Sequence, residues 1–410
     1  MVYCIFPPDE FNEISIELPL SKSISNRALV INSLTKGALP FSEIAKCDDT
    51  DVMLSALTCD NNSINIGAAG TAMRFLTAYF ASQEGRSITL DGSARMRQRP
   101  IKALVDALRA CGAEIEYIEN EGYPPLLIKG KKLSGGEITL PASISSQYIS
   151  ALLMIAPTMI NGLKLTLEGE IISRPYILMT LSMMKTWGVN SEFYGNTISI
   201  EPGEYKPTKF DVEGDWSASS YWYEIAALSS EEISIGKLNI NSIQGDSHIA
   251  EIFKHLGIIS SYNDNSVKLS PSPDFAPRLC LNMSEQPDLA QTIVVTCCLL
   301  GIPFHIKGLS TLKIKETDRL SALQCELKKL SFAINIENDS ELSWDGERIP
   351  VYEMPTIETY NDHRMAMAFA PASIFIPGLK INDIEVVSKS YPLYWEHLRQ
   401  IGFKIEECQE

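Results

Sequence analysis

What this 410-residue chain lacks narrows it first. No apolar run reaches the ~18 residues that a membrane span requires, and the longest, residues 151–160, is broken by Pro157. No basic segment followed by an apolar core opens the sequence, so no signal peptide is expected. The nine cysteines form no Cys-x-x-Cys pair and have no histidine at ligand spacing. That pattern argues against structural zinc and points to a reducing, cytoplasmic setting. Positive charge is scarce: 35 Lys and Arg stand against 51 Asp and Glu, a net charge of −16. A general nucleic-acid or anionic-membrane surface is thereby disfavoured, and an anion can bind only where cations converge. No low-complexity linker divides the chain, which is long enough for two or more domains with their own cores.

What is present begins with Lys315-Glu316-Thr317-Asp318-Arg319. Residues 309–314 before it read as a short strand, and residues 320–327 after it as a helix. Two cations and two carboxylates thus sit at a helix N-terminus, where free N–H groups and a partial positive charge favour an anion. A solvated, self-neutralised helix start is the plainer alternative. It is weakened by repetition along the chain. Leu or an aromatic residue, then Gly, then a strand recurs at Gly112, Gly188, Gly257 and Gly402, with Ser331 in the fourth place. Glycine there suits a left-handed helix C-cap. Interleaved with these are six polar clusters that lead into apolar helices, at residues 21–27, 70–74, 145–147, 217–220, 287–288 and 361–364. A period of roughly 70–75 residues follows. Six α/β units, three to each of two similar domains, are predicted, with buried helices whose polar N-termini face a cleft between the domains.

Several helix starts carry residues suited to anions. Lys22, Ser23 and Arg27 can point at one ligand, although Ser21 or Ser23 also serves as a plain N-cap. The turn 67–74 brings Gly70 and Arg74 to a helix start without the glycine spacing of a P-loop or dinucleotide fingerprint. Arg95, Arg97 and Arg99 crowd five residues, as a carboxylate or phosphate site or as a salt-bridged surface loop. Ser145-Ser146-Gln147 and Ser173-Arg174-Pro175-Tyr176 offer hydroxyl and amide groups, which equally serve as caps. Asp288 is an N-cap or a base, and His363, between Asp362 and Arg364, reads best as a structural histidine.

Taken together these motifs resemble the 5-enolpyruvylshikimate-3-phosphate synthase family of enolpyruvyl transferases. The resemblance runs from about Pro19 to Lys389. It is carried by Ser21-Lys22-Ser23-Ile24-Ser25-Asn26-Arg27, Ala69-Gly70-Thr71-Ala72-Met73-Arg74, Arg95-Met96 with Arg99-Pro100-Ile101, Val212-Glu213-Gly214-Asp215, the Lys315–Arg319 stretch, and Asn361-Asp362-His363-Arg364-Met365-Ala366-Met367. It implies an α/β fold of two domains, each of three βαβαββ units with buried parallel helices, in the manner of an inside-out α/β barrel. The expected domains are 20–214 and the discontinuous 1–19 with 215–410, with the active site in the interdomain cleft.

The implied reaction moves the enolpyruvyl group of phosphoenolpyruvate to the 5-hydroxyl of shikimate 3-phosphate, in the pathway to chorismate and the aromatic amino acids, with no metal and no cofactor. By analogy shikimate 3-phosphate is held by Lys22, Ser23, Arg27, Ser145, Ser146, Gln147, Ser173, Tyr176, Asp288 and Lys315. Phosphoenolpyruvate is held by Lys22, Gly70, Arg99, Gln147, Arg319, Arg364 and Lys389. Lys22, Asp288 and Glu316 share the proton transfers. The expected partners are these two small molecules alone, with no nucleic acid and no membrane, and the expected state is a monomer. The chain departs from the family pattern at Leu20, Ala68, Phe75 and Thr311, none of them charged. The sister transferase acting on UDP-N-acetylglucosamine is the nearest alternative, but it carries a catalytic loop cysteine and none lies between Arg95 and Arg99. A non-catalytic anion-binding scaffold is the other; it gives Glu316 and Asp288 no task.

Overall fold

The structure, a computed structural model, describes residues 1–11, 14–350 and 353–408. The chain divides into two compact units, residues 21–212 and residues 1–20 with 213–410. The opening strands β1 (Val2–Phe6) and β2 (Ile14–Glu17) both pair with strands far downstream. Helices α1 (Lys22–Ser33) and α2 (Asp48–Thr58) follow, and then two complete repeats. The first is β3 (Ser63–Asn65), α3 (Gly70–Ala81), β4 (Ser87–Asp91), α4 (Lys102–Ala110), β5 (Glu114–Tyr117) and β6 (Leu126–Lys129). The second is β7 (Gly136–Pro141), α5 (Ser146–Ile155), β8 (Leu163–Glu168), α6 (Arg174–Thr186), β9 (Glu192–Tyr194) and β10 (Thr197–Ile200).

The larger unit continues with α7 (Trp216–Ser229), β11 (Ile233–Gly236), α8 (Ile249–Lys254), β12 (Leu256–Asn263) and β13 (Ser266–Phe275). Next come β14 (Leu279–Asn282), α9 (Ala290–Leu300), β15 (Phe304–Lys307), α10 (Arg319–Lys329), β16 (Asn335–Glu337) and β17 (Glu341–Trp344). The chain closes with β18 (Thr356–Ile357), α11 (His363–Phe369), β19 (Leu379–Asn382), α12 (Tyr394–Gln400) and β20 (Lys404–Glu407).

The sheets show the repeat directly. Their strand orders are β3-β4-β6-β5, β7-β8-β10-β9, β14-β15-β17-β16, β12-β13-β11-β2 and β18-β19-β1-β20. Each has one parallel pair and otherwise antiparallel contacts, which is the βαβαββ pattern; a single helix joins the parallel pair in four of them, while β2 and β11 are separated in sequence by the whole smaller unit and α7. Two sheets borrow their missing strand from the N-terminal segment, so β1 and β2 complete units that the chain reaches only later. Six sheeted units are predicted by the period, but among the described residues five carry a sheet; the unit of α1 and α2 carries none.

Strand patterning explains the layers. In β8 the sequence Leu-Lys-Leu-Thr-Leu-Glu buries its leucines and turns the alternate residues outward. The sheets cover helices that are apolar on most sides: α3 and α5 in one unit, and α7, α9 and α11 in the other. Ser310–Ile314 form a 3-10 turn, with Leu309 just ahead of it, instead of the strand expected over 309–314. Leu309 and Leu312 are buried three apart while Ile314 is 57% exposed, which is helical rather than alternating burial. Gly257, expected as a helix cap, lies in β12 with φ +78 at a shift of register. Cys4 and Cys408 form a disulfide across 404 residues, an exception to the expectation of unpaired thiols; the other seven cysteines are free.

Candidate active site

In the larger unit, three helix starts meet through their side chains. Asp288 stands just before α9, Arg319 opens α10, and Asp362 and Arg364 flank the first residue of α11. The Arg319 guanidinium, 2% exposed, is fixed by Asp362 through Nε to Oδ2 at 2.7 Å and Nη2 to Oδ1 at 3.2 Å. Its Nη1 reaches Asp288 Oδ1 at 2.9 Å and its Nη2 reaches Glu316 Oε2 at 3.1 Å. Lys315 Nζ lies 3.1 Å from Asp288 Oδ1, and Lys389 Nζ donates to Glu316 Oε1 at 2.8 Å. Arg364 donates to the Asp288 carbonyl at 3.1 Å, with its Nη2 3.7 Å from the carboxylate. Lys315, Glu316, Arg319, Arg364, Lys389 and Asp288 are therefore one connected lattice. Asp362 also caps α11 by accepting the Arg364 N–H at 3.0 Å.

The lattice decides the protonation of its members. Burial pushes the Asp288 carboxyl up, but the charges of Lys315, Arg364 and Arg319 outweigh it and hold the group far below the usual carboxylate range. For Arg319 burial acts downward, and Asp362, Glu316 and Asp288 overcome it, so the cation is secured. Asp246, beside the first turn of α7, shows the opposite balance. Burial dominates and, against the attraction of Arg364, pushes its carboxyl up to about 6. Its carboxylate accepts the Ser217 hydroxyl.

In the smaller unit the cations rest on neutral groups. Arg27 is 2% exposed. It donates to the Thr180 hydroxyl at 2.8 Å, the Ser150 hydroxyl at 3.2 Å and the Ser23 carbonyl at 2.9 Å. Its guanidinium stands over the rings of Phe75, at 5.3 Å, and Tyr176, at 5.9 Å. Phe75, a departure from the family pattern, thus gives Arg27 a platform. Burial lowers the Arg27 pKa to about 10, so it remains a cation at neutral pH. Gln147 donates to the Thr71 hydroxyl at 3.2 Å, tying the starts of α5 and α3, and Ser145 caps α5. Ser146 is the first residue of α5, and Ser173 precedes α6 with φ +57. A β-carbon on Gly70 would fall 2.7 Å from Arg99 Nη1, so the guanidinium lies directly against the start of α3. Arg99 Nε is buried with no hydrogen-bond partner among the described residues, a donor left for a ligand. Lys22 has a carboxylate, Asp49, at 3.0 Å, and Arg97 is taken up by Asp91 and by Glu119, at 2.6 Å.

The sequence names every cation of these two clusters, and Asp288 and Glu316 among their partners, but not the other groups that hold them. Asp49, Ser150 and Thr180 gave no signal, since their partners lie 27 to 153 residues away. Asp362 was visible only as part of a mixed polar run. Lys315 and Arg319 do meet as expected, though through Asp288 and not along a shared helix face, because Lys315 lies ahead of the helix. Thr311 keeps a buried hydroxyl without a partner among the described residues. Among the described residues one group could hold a metal: His305, Glu337 and Glu341, on β15, β16 and β17, where His305 Nε2 is already 2.7 Å from Glu341.

Two units of βαβαββ repeats, with acids and cations gathered at helix starts, define the class: an enzyme of the enolpyruvyl transferase type. A family model described as EPSP synthase (3-phosphoshikimate 1-carboxyvinyltransferase) matches residues 58–398, and the chain belongs to the EPSP synthase family. It is similar to a Bacteroides fragilis protein named 3-phosphoshikimate 1-carboxyvinyltransferase, with 52% identity over 412 residues and all of both chains covered. A protein of that name from Colwellia psychrerythraea is 35% identical, over 94% of this chain and 96% of its own. An EPSP synthase structure from Acinetobacter baumannii has the same fold, with a TM-score of 0.78 at 19% identity, over 99% of this chain and 100% of that one. No helix among the described residues is long and apolar enough to cross a membrane.

Proposed function

We propose that this chain transfers the enolpyruvyl group of phosphoenolpyruvate to the 5-hydroxyl of shikimate 3-phosphate, releasing phosphate. The observation that carries the reading is the lattice around Arg319, in which two carboxylates, Asp288 and Glu316, touch three helix-start cations and Lys389. Proton transfer between two polyanions needs that combination: cations to gather the substrates, and acids already within their reach. The family resemblance assigns Ser23, Arg27, Ser145, Ser146, Gln147, Ser173, Tyr176, Lys315 and Asp288 to shikimate 3-phosphate. Phosphoenolpyruvate takes Gly70, Arg99 and Gln147, together with Arg319, Arg364 and Lys389, and Lys22 touches both.

In the reaction Glu316 protonates the methylene C3 of phosphoenolpyruvate. Asp288 takes the proton of the 5-hydroxyl as its oxygen bonds to C2, and Lys22 stabilises the phosphate charge. Loss of a C3 proton back to the carboxylate and departure of phosphate then restore the double bond. The enzyme works as a monomer in the cytoplasm in this reading. The test is phosphate release with both substrates, omitting each in turn. Release that requires both is expected; release that needs only one, or a UDP-sugar acceptor instead, would overturn the proposal.

A further inference from the structure

One buried carboxylate of the larger unit has no task in this reaction, and its contacts lead back to the arginines that do. Glu326, in the second half of α10, is fully buried. It accepts the Tyr360 hydroxyl at 2.6 Å, the Glu358 N–H at 3.0 Å and the Lys329 ammonium at 2.6 Å. Lys329 in turn donates to the Thr356 carbonyl at 2.9 Å. The strap 356–360 is thus tied at three points to one helix. Two residues later the same strap is tied to the other end of that helix, where Asp362 grips Arg319.

Between the two ties the backbone is forced. Tyr360 and Asn361 are both left-handed, with φ +54 and φ +55. Asparagine tolerates that region, but a bulky aromatic residue rarely enters it. Such a conformation persists only where its surroundings over-determine it. Here the Tyr360 hydroxyl on Glu326 supplies one anchor and Asp362 on Arg319 the other. The reversed turn aims Asp362 at two jobs: the paired grip on Arg319 and the cap of α11 that sets Arg364.

We infer that the Glu326–Tyr360 pair is a positioning device for Arg319 and Arg364, and so sets affinity for the enolpyruvyl donor without touching either substrate. This rests on the proposed reaction. The chain of effect is short: release of the Tyr360 hydroxyl relaxes the left-handed turn, Asp362 loses its aim, and both arginines lose their fixed geometry. The acceptor's proposed ligands in the smaller unit are left in place, while Asp288 and Glu316 feel the change only through their contacts with the arginines.

The test uses Tyr360→Phe, which removes one hydroxyl from a partly exposed ring, and Glu326→Gln, which keeps one acceptor oxygen but turns the other into an NH2 donor and removes the charge. Both are assayed by steady-state phosphate release and by amide hydrogen exchange over residues 356–364. The expected result in both variants is a KM for phosphoenolpyruvate raised about tenfold. The kcat and the KM for shikimate 3-phosphate should change less than the donor KM, the exchange of 356–364 should quicken, and the double variant should be no worse than Glu326→Gln. An unchanged donor KM in Tyr360→Phe would overturn the inference. So would a parallel fall of kcat, both affinities and melting temperature, which marks a mere brace. A wild type that releases no phosphate would sink the reaction instead; exchange alone then decides the tie, and unaltered exchange in Tyr360→Phe would refute it.

Discussion

Replacing Gly70 by Ala perturbs one contact whose geometry is known. The new β-carbon would lie 2.7 Å from Arg99 Nη1 and 3.2 Å from both Arg99 Cζ and Arg74 Nη1. The backbone itself permits the change, since Gly70 is absent from the positive-φ glycines. Ordinary van der Waals contact begins near 3.4 Å, so the Arg99 guanidinium must withdraw by about 0.7 Å. The clash is with the far end of a flexible side chain, which makes the cost in stability small, under ~1 kcal/mol. The cost in binding is larger, because a charge-assisted hydrogen bond to a carboxylate or phosphate is worth about 1.5–3 kcal/mol and weakens steeply with misplacement. Losing most of one such bond raises the KM for phosphoenolpyruvate by about tenfold to a hundredfold. Glyphosate, placed by the family resemblance at the same subsite, should weaken more, because a longer ligand meets the methyl group first. The assay is phosphate release with varied phosphoenolpyruvate, with and without glyphosate, beside a thermal melt. An unaltered KM with an unaltered melt would show that Arg99 does not meet the donor. A large fall in melting temperature would refute the claim that only the guanidinium moves.

Three further outcomes are expected. Glu316→Gln should cut kcat by ~10²-fold or more while shikimate 3-phosphate still binds, because the carboxamide can accept from Arg319 but cannot transfer a proton; near-normal turnover would remove Glu316 from the chemistry. Activity should survive EDTA, since the metal-capable group His305, Glu337 and Glu341 lies on a sheet and shares no residue with the helix-start clusters; loss to EDTA with rescue by one divalent ion would contradict the scheme. Asp246 has its carboxyl raised by burial from 3.8 to about 6, so its ionised form costs the folded state up to about 3 kcal/mol above pH 6, a cost relieved as pH falls towards 4. Asp246→Asn should therefore melt higher than the parent at pH 7.5, with the gap closing below pH 5; a gap independent of pH would mean that the Ser217 contact, and not ionisation, is responsible.

Much of this was legible in the chain because local chemistry repeats. Gly112, Gly188 and Gly402 were read as left-handed caps and have φ +95, +82 and +107; Ser331 takes the same conformation at φ +80 without glycine's freedom. Polar residues opening apolar helices marked the site for the same reason, since an apolar helix seldom begins with cations unless something needs them. What stayed hidden is non-local. Nothing near Arg319 in sequence announces Asp362, 43 residues on, and nothing near Cys4 announces Cys408. Residues 309–314 misled because a short apolar run fits either period until burial is seen.

The lattice also explains how a carboxylate so strongly depressed can act as a base. Without ligand, Asp288 is the counter-ion of Lys315, Arg319 and Arg364, and a group held that far below its usual range takes no proton at neutral pH. Those cations are also the ones proposed to meet substrate anions. At an effective dielectric near 20, one unit charge at 4 Å is worth about 4 kcal/mol, or about three pKa units. A phosphate that draws Lys315 away, or a carboxylate that draws Arg364 away, therefore returns much of the lost basicity. Arg319 is placed differently, because Asp362, fully buried, holds two of its nitrogens. The division has a chemical consequence. On the proposed reaction, Arg319 would be the fixed post, Lys315 and Arg364 the exchangeable partners, and Asp288 would become a base only with both substrates in place. On the same proposal, phosphoenolpyruvate alone would leave Lys315 on Asp288, so the hydroxyl-activating group would stay quenched and the donor would not be spent on water.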